Sequence, residues 1–215
     1  MKEVFLAIFM SFFSIPVFAD DRKEVLLHET NDYQILHVTD QNEEYIKFIG
    51  FMMQYTTYNL NIAFQQTGVD TLYINSYGGL AMESYDLGYM LKSNDINVVV
   101  DENDSCISAC AFAVSIQENI TLKNEGGLLF HMPYSDSIPA SMSLHQYRKT
   151  SNISLLYTMK YMLENNFSIE FIEIIIRNGD VNKFVSVESV EELNKFKVDN
   201  ILGNSVGEYR VIHMR

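Results

Sequence analysis

The apolar residues of the chain fall into two alternating kinds of segment. Short runs rich in β-branched and large apolar residues predict strands, and longer segments with apolar residues three or four positions apart predict helices. The predicted strands are Gln34–Val38, Tyr45–Gly50, Thr71–Asn75, Ile96–Val100, Ile120–Lys123, Leu128–His131 and Phe184–Val185. The predicted helices are Met52–Gln66, Leu80–Ser93, a segment beginning at Ser108, Leu144–Asn165, Ile169–Arg177 and Val187–Phe196. This alternation predicts an α/β fold with a largely parallel central sheet flanked by helices.

Three of the predicted strands are followed or closed by residues that can do chemistry. The pair Gly78-Gly79 comes after the strand at Thr71, Ser108 comes after the strand at Ile96, and His131 closes the strand at Leu128. Taken singly, these features are typical of a turn, a helix cap and a core histidine. Open parallel sheets bind their ligands beyond the carboxyl ends of the strands, so together they predict one site.

Ser108 is the candidate nucleophile of this site. It lies between small and apolar neighbours at a predicted junction of strand and helix. The first amides of a helix lack partners within it, and the helix dipole favours negative charge there. Such amides can hold an oxyanion, which is what acyl transfer by a serine requires. A serine that merely caps the helix is the alternative.

Cys106 and Cys110 lie on either side of Ser108 and are the chain's two cysteines. A disulfide is one interpretation, but a bridge between residues four apart needs a favourable backbone, so small packing residues are the favoured one. A structural zinc site is not predicted, because no second cysteine pair or suitably spaced histidine accompanies them. No metal or cofactor is expected.

The first nineteen residues have the layout of a secretory signal peptide. A basic Lys2 precedes a largely apolar run that ends at Ala19 and is shorter than the roughly 20 residues that span a bilayer. We expect cleavage after Ala19, export to the periplasm or beyond, an N-terminal extension over residues 20–44 and a folded domain over 45–215. The formal net charge of -13, without clustered Lys or Arg, disfavours nucleic-acid partners.

Three short motifs resemble those of the Clp-type protease subunits, in the same order and at fitting spacing. Residues 73–79 resemble the strand and oxyanion loop of that family, with Tyr77 where the family has proline. Residues 106–111 resemble its nucleophile segment, and residues 130–133 its histidine segment. The resemblance covers about Tyr45 to Val198, and the export signal makes the chain most similar to the exported, Clp protease-like relatives within the wider crotonase superfamily.

The resemblance implies a Clp protease/crotonase-like fold and a role for each matched residue. Ser108 would be the nucleophile and His131 the general base, and the backbone amides of Gly79 and Ala109 would form the oxyanion hole. Lys123 is a second choice of base, because signal peptide peptidases of the same superfamily use a Ser-Lys pair.

The third member of the triad stays open between two residues. In the family an acidic residue precedes a Phe-hydrophobe-Ser run, which is represented here by residues 184–186. Aligning on that run places Asn182 at the acidic position, and Asp180 lies two residues earlier. Either could orient His131, and the charge of Asp180 makes it the preferred candidate.

The resulting hypothesis is an exported serine peptidase that cleaves peptides or unfolded proteins without ATP. An ATPase partner is not expected outside the cytoplasm, and the resemblance also implies a homo-oligomer. A catalytically inactive Clp-like binding or assembly module is one alternative. A crotonase-like acyl-CoA enzyme is another, which export disfavours because CoA substrates are cytoplasmic.

Overall fold

A computed structural model describes residues 22–40, 42–123, 126–132, 141–179, 183–197 and 210–213 of the chain. The strands of these residues are β1 (Lys23–Glu29), β2 (Tyr33–Thr39), β3 (Glu44–Met52), β4 (Thr71–Gly79), β5 (Asn97–Val100), β6 (Ser105–Ile107), β7 (Ile120–Leu122), β8 (Gly127–Phe130), β9 (Lys183–Val187) and β10 (Arg210–His213). The helices are α1 (Thr56–Thr67), α2 (Ala81–Ser93), α3 (Ala109–Ser115), α4 (Leu144–Glu164), α5 (Ile169–Asn178) and α6 (Val190–Lys195).

The described strands form one mixed sheet, parallel in its centre and antiparallel at both flanks. Along its main path the order is β1-β2-β3-β4-β6-β8-β9-β10, while β5 pairs with β4 and β7 pairs with β5. The pairs from β3 to β8 are parallel, and those of β1, β2, β9 and β10 are antiparallel. The predicted α/β class is therefore confirmed.

The two halves of β4 have different neighbours, and this split positions the site. Residues from Thr71 to Tyr73 pair with β5, whereas Ser76 pairs with Cys106 of β6. β6 in turn pairs with β8 through Ile107 and Leu129. The carboxyl ends of β4, β6 and β8 therefore lie side by side, which brings the residues after them together.

The core forms because alternate strand residues point to the same face of the sheet. Ile46, Phe48, Leu72 and Ile74 are fully buried on the face that packs against the helices. Residues on the opposite face of the sheet belong to two smaller apolar clusters. One is built around Tyr45, Tyr73 and Val99, and the other consists of Ile107, Leu129 and Phe184. Strand alternation thus divides the sheet into a helix-covered face and a second face.

The sequence located most of these elements but missed three features of the sheet. β4 continues through residues 76–79, where a turn was predicted, because its parallel pairing with β3 extends to Gly79. The strand that directly precedes Ser108 is β6, and not the predicted strand at Ile96, which is β5. β6 was missed because its three residues are too few to show a periodic pattern. β1 and β10 were also missed; β1 is mostly exposed, and its apolar residues do not alternate with polar ones as in a half-buried strand.

Helix α4 runs without interruption from Leu144 to Glu164, within one residue of the predicted helix. Its start is fixed by a capping box, in which the Ser143 side chain accepts from the Gln146 amide and the Gln146 side chain accepts from the Ser143 amide. Among the described residues, no helix combines the length and apolarity needed to cross a membrane.

Candidate functional site

A cavity of about 290 Å³ lies where β4, β6 and β8 end. Its lining includes four residues that the sequence assigned to one site, namely Gly79, Ser108, Ala109 and His131. The structure therefore brings together the candidate nucleophile, the candidate base and the candidate oxyanion donors. Asp180 and Asn182, the two candidates for the third position, lie outside the described residues.

Ser108 occupies a backbone conformation that L-residues rarely adopt. Its φ is 56° and its ψ is -119°, outside even the left-handed helical region. Holding a non-glycine residue in such a conformation costs about 1–3 kcal/mol, and such residues cluster at functional sites. Its side chain makes no capping hydrogen bond to α3, so the interpretation of Ser108 as an ordinary helix cap loses its basis.

The turn at Ser108 is fixed by backbone hydrogen bonds on both sides. The Ser108 amide donates to the Leu129 carbonyl oxygen of β8 at 2.7 Å, and the Phe112 amide donates to the Ser108 carbonyl oxygen at 3.2 Å. The seven residues of α3 are all buried, so the helix is anchored in the core. The buried helix and the backbone hydrogen bonds therefore fix the backbone of Ser108, which lines the cavity.

Gly78 and Gly79 allow the end of β4 to approach this turn closely. Both have positive φ, 88° and 146°. A Cβ on Gly78 would lie 2.6 Å from the Ile107 carbonyl oxygen, 2.8 Å from the Ser108 Cβ and 3.0 Å from the Ala109 nitrogen. A side chain at residue 78 therefore cannot fit without moving the turn. Gly78 is therefore required for the close packing of β4 on the Ser108 turn, whereas a Cβ on Gly79 would collide with the Met52 backbone of β3.

His131 is half-buried and contacts three parts of the chain. Its Nδ1 lies 2.9 Å from the Met132 carbonyl oxygen, and its ring meets the Phe184 ring edge-on at 5.1 Å between centroids. A Cβ on Gly179 would lie 2.9 Å from the His131 Cα, so α5 ends directly against the histidine. A carbonyl oxygen only accepts, so this hydrogen bond requires the proton on Nδ1. In neutral His131 the Nε2 is then left as an acceptor.

The two cysteines form a disulfide, with their Cα atoms 5.1 Å apart. Both residues are completely buried, so they also pack within the core. The favoured interpretation of separate packing residues was therefore wrong, and the alternative of a bridge is the one found. The backbone is favourable because the chain turns sharply at Ser108, which brings the first turn of α3 back over the end of β6.

Lys123 does not contribute to the cavity and is engaged elsewhere. Its Nζ lies 3.1 Å from an Asp101 carboxylate oxygen and donates to the Tyr73 hydroxyl at 3.2 Å. Burial by itself would lower the pKa of Lys123, but these two hydrogen bonds outweigh it and raise the pKa above its ordinary value. A catalytic lysine base needs a lowered pKa, so this environment argues against the Ser-Lys alternative.

Helix α4 forms a wall of the cavity that the sequence analysis did not assign to the site. Its contributions are Tyr147, Thr150, Ser151, Ser154 and Thr158. They recur every three or four residues, a helical spacing that could have been recognised, although spacing alone does not say which way the face points. Thr158 is held by the Tyr85 hydroxyl at 2.5 Å and donates to the Ser154 carbonyl oxygen. Ser151 and Ser154 are thus part of the cavity face of α4.

Within the part of the chain that the structure describes, no three His, Cys, Asp or Glu side chains cluster as metal ligands would.

Comparison of the sequence with models of known protein families and with curated proteins gives no match.

Proposed function

We propose that the chain is an exported serine peptidase of Clp protease-like fold, which hydrolyses peptide bonds without ATP. The observation that carries the proposal is the shared cavity of Ser108, His131, Gly79 and Ala109, with Ser108 in a conformation that only a constrained turn sustains. An ordinary core would not need a strained serine beside a histidine and a pair of glycines with positive φ.

In the proposed reaction, the Ser108 Oγ attacks the carbonyl carbon of the scissile peptide bond while Nε2 of His131 accepts the hydroxyl proton. The amides of Gly79 and Ala109 donate to the carbonyl oxygen as it becomes an oxyanion. The C–N bond then breaks, and the leaving amine takes the proton from His131. Water activated by the same histidine hydrolyses the acyl-serine ester and restores the free hydroxyl.

The orientation of His131 supports its role as the base. With the Nδ1 proton donated to the Met132 carbonyl oxygen, neutral His131 offers Nε2 as the acceptor that the serine needs. Gly179 and Phe184 both contact His131 and lie on either side of the segment that contains Asp180 and Asn182. Either of those residues is therefore close in the chain to groups that touch the histidine, and Asp180 stays the preferred third member for its charge; in that role it would share the Nδ1 proton with the Met132 carbonyl oxygen.

The composition of the cavity suits a peptide. Phe112 and Met142 supply apolar contacts, while Thr150, Ser151 and Ser154 add hydroxyls from α4. The disulfide between Cys106 and Cys110 supports the proposed export, because disulfides persist in oxidising compartments and are rare in the cytosol. The parallel order from β3 through β4 and β6 to β8 supports a Clp/crotonase-like arrangement of the core.

Labelling with a fluorophosphonate tests the proposal. An activated Ser108 Oγ displaces fluoride from the probe and forms a stable phosphonyl ester, which mass spectrometry locates. We expect labelling at Ser108 in the wild type and none in Ser108→Ala, with at least about 100-fold slower labelling in His131→Ala. Ser105→Ala is the matched control, because Ser105 lies on β6, the strand that leads into Ser108, but does not line the cavity. Labelling of Ser108→Ala at the wild-type rate would refute the assignment.

A binding or assembly module is the second candidate function, and exposed apolar residues on α4 favour it. Ile153, Leu156, Tyr157 and Leu163 are between 43% and 64% exposed. Large apolar side chains grouped on one helix mark surfaces that bind other proteins. If the protein is only a binding or assembly module, its cellular effect will survive both Ser108→Ala and His131→Ala. If it is a peptidase, either substitution will abolish that effect.

A further inference from the structure

The disulfide closes a covalent ring around the candidate nucleophile. Cys106 lies in the middle of β6, Cys110 lies in the first turn of α3, and Ser108 is midway between them. Cys106 is itself fixed in the sheet, since it pairs with Ser76 of β4 and Leu128 of β8. The bond therefore ties the first turn of α3 to the most constrained residue of β6.

We propose that this disulfide positions Ser108 and the Ala109 amide for catalysis, and that its oxidation switches the site on after export. The inference rests on the proposed function and adds a mode of regulation to it. In the reduced chain, the turn at Ser108 loses its covalent tie and relaxes from its unfavourable φ of 56° toward ordinary backbone conformations. The same relaxation moves the Ala109 amide away from the cavity.

A contribution to overall stability is the weaker explanation of the bond. The stabilisation that a disulfide gives through the unfolded state grows with the length of the loop that it closes, and this one joins residues only four apart. Its effect is therefore concentrated on the few residues inside the ring. Those residues include the strained serine and one of the proposed oxyanion donors.

The redox step is a thiol–disulfide exchange. A disulfide oxidant accepts two electrons and two protons from the Cys106 and Cys110 thiols and leaves as two thiols, and the S–S bond forms between the two cysteines. A dithiol reductant reverses the step, giving up two electrons and two protons as it closes to its own disulfide. Both cysteines are fully buried, so exchange requires local opening, and the folded, oxidised site resists reduction.

The experiment compares the oxidised protein, the protein refolded in dithiothreitol, and the same sample re-oxidised with glutathione disulfide. We expect reduction to slow fluorophosphonate labelling of Ser108 by about 100-fold, as a small misplacement of a nucleophile can, and re-oxidation to restore the rate. With a peptide substrate the loss should fall on kcat, with KM little changed. The Cys106→Ala/Cys110→Ala variant should behave as the reduced protein does, whatever the redox state.

Val114→Ala is the matched control, since it removes buried volume from α3 without touching the bond. When oxidised it should retain the wild-type labelling rate, and reduction should slow its labelling as much as it slows that of the wild type. Equal labelling of Ser108 in the oxidised and reduced protein would overturn the inference and leave the peptidase intact.

Hydrogen exchange separates this inference from the proposed function, because it does not depend on activity. The Ser108 and Phe112 amides make the hydrogen bonds of the turn, and the Gly68 amide donates to the Phe64 carbonyl oxygen at the end of α1. Reduction should accelerate exchange at the first two amides and leave Gly68 unchanged. If reduction accelerates exchange but the probe never labels the protein, the structural effect of the disulfide stands and the peptidase is refuted. If exchange at Ser108 and Phe112 is unchanged on reduction, the inference about the disulfide is overturned.

Discussion

At the scale of single residues, the site depends on a few backbone positions that tolerate no substitution. Ser108 and Gly78 touch across the gap between β4 and α3, and each holds a positive φ. The glycine has no conformational penalty there, whereas the serine does. The chemistry of the site is therefore linked to the packing of two neighbouring strand ends.

Gly78→Ala should abolish most of the activity while the protein still folds. The new Cβ would collide with the Ile107 carbonyl oxygen and the Ser108 Cβ, so the turn has to move. We expect fluorophosphonate labelling of Ser108 to fall by about 100-fold, comparable to the loss of an oxyanion donor.

Gly68→Ala is the matched control for this change. Gly68 also has a positive φ, 72°, but no atom would lie within 4 Å of its Cβ. This variant should lose about 1 kcal/mol in the free energy of unfolding, from the left-handed conformation, and keep its labelling rate. Equal loss of labelling in the two glycine variants would contradict the steric argument.

Asp104 gives a prediction on the pH dependence of stability. Burial raises the pKa of its carboxyl, a nearby Asp101 adds to this, and Lys47 opposes it. Oδ1 accepts from Asn75 at 2.7 Å, while Oδ2 is buried without a hydrogen-bond partner among the described residues. Below the ordinary carboxyl pKa of about 3.9, Asp104 is protonated in both the folded and the unfolded state. As pH rises from there toward the raised pKa of the folded state, the unfolded state loses its proton first, and the free energy of unfolding falls.

Asp104→Asn should therefore be more stable than the wild type at pH 7, and the difference should vanish near pH 3.5. The gain should be under about 1 kcal/mol, because the residue is half-buried and water screens its charge. Denaturant unfolding at the two pH values measures it. Asp32→Asn, at an exposed position, controls for the loss of one negative charge.

At the scale of elements, the position of the cavity wall depends on how α4 packs against α2 and α3. Gly88 of α2 lies where these helices meet. A Cβ there would collide with the Tyr161 hydroxyl of α4 and lie 3.0 Å from the Ala113 carbonyl oxygen of α3. Tyr161 is itself held by donation to the Phe112 carbonyl oxygen at 3.3 Å. A small residue in α2 thus sets the distance between the wall and the nucleophile helix.

Gly88→Ala should destabilise the protein by about 1–3 kcal/mol, the usual cost of overpacking a core. The intrinsic helix propensity of alanine acts in the opposite direction, so any net loss reports the clash. Urea unfolding measures the change. Asp86→Ala, at an exposed position of the same helix, is the control and should not destabilise the protein. A Gly88→Ala protein as stable as the wild type would show that α4 can move away freely.

At the scale of the whole molecule, α4 also carries an apolar stripe on its outer side. Ile153, Leu156 and Tyr157 are spaced three and four residues apart and are exposed, opposite the residues that face the core. A helix that is apolar on its outer face as well is suited to bury that face against a second copy. The homo-oligomer implied by the family resemblance has a candidate surface here.

Leu156→Glu should weaken self-association of the protein without unfolding it. We expect the wild type to sediment as an oligomer and the variant to shift toward a monomer, because a charge at the most exposed position of the stripe is costly to bury. Arg148→Glu, an exposed change two turns earlier on α4, is the control for added negative charge. A wild type that sediments as a monomer at every concentration would contradict this prediction.

The sequence by itself determined the α/β class and the candidate residues Ser108, His131, Gly79 and Ala109. Strand and helix periodicities are local properties of the sequence. A Gly-Gly pair, a serine and a histidine at the ends of predicted strands can likewise be recognised without the three-dimensional fold. The sequence could not show that β6 would form, because a three-residue strand such as Ser105–Ile107 is stabilised only by its neighbours β4 and β8.

Only the tertiary structure decided which parts of the chain meet. The disulfide between Cys106 and Cys110 requires the sharp turn at Ser108, and long-range contacts with Gly78 and Leu129 act together with the bond to maintain that conformation. The α4 wall depends in the same way on packing across Gly88 and Tyr161. Local sequence sets the residues' preferences, but contacts between distant segments supply the free energy that holds a strained serine in place.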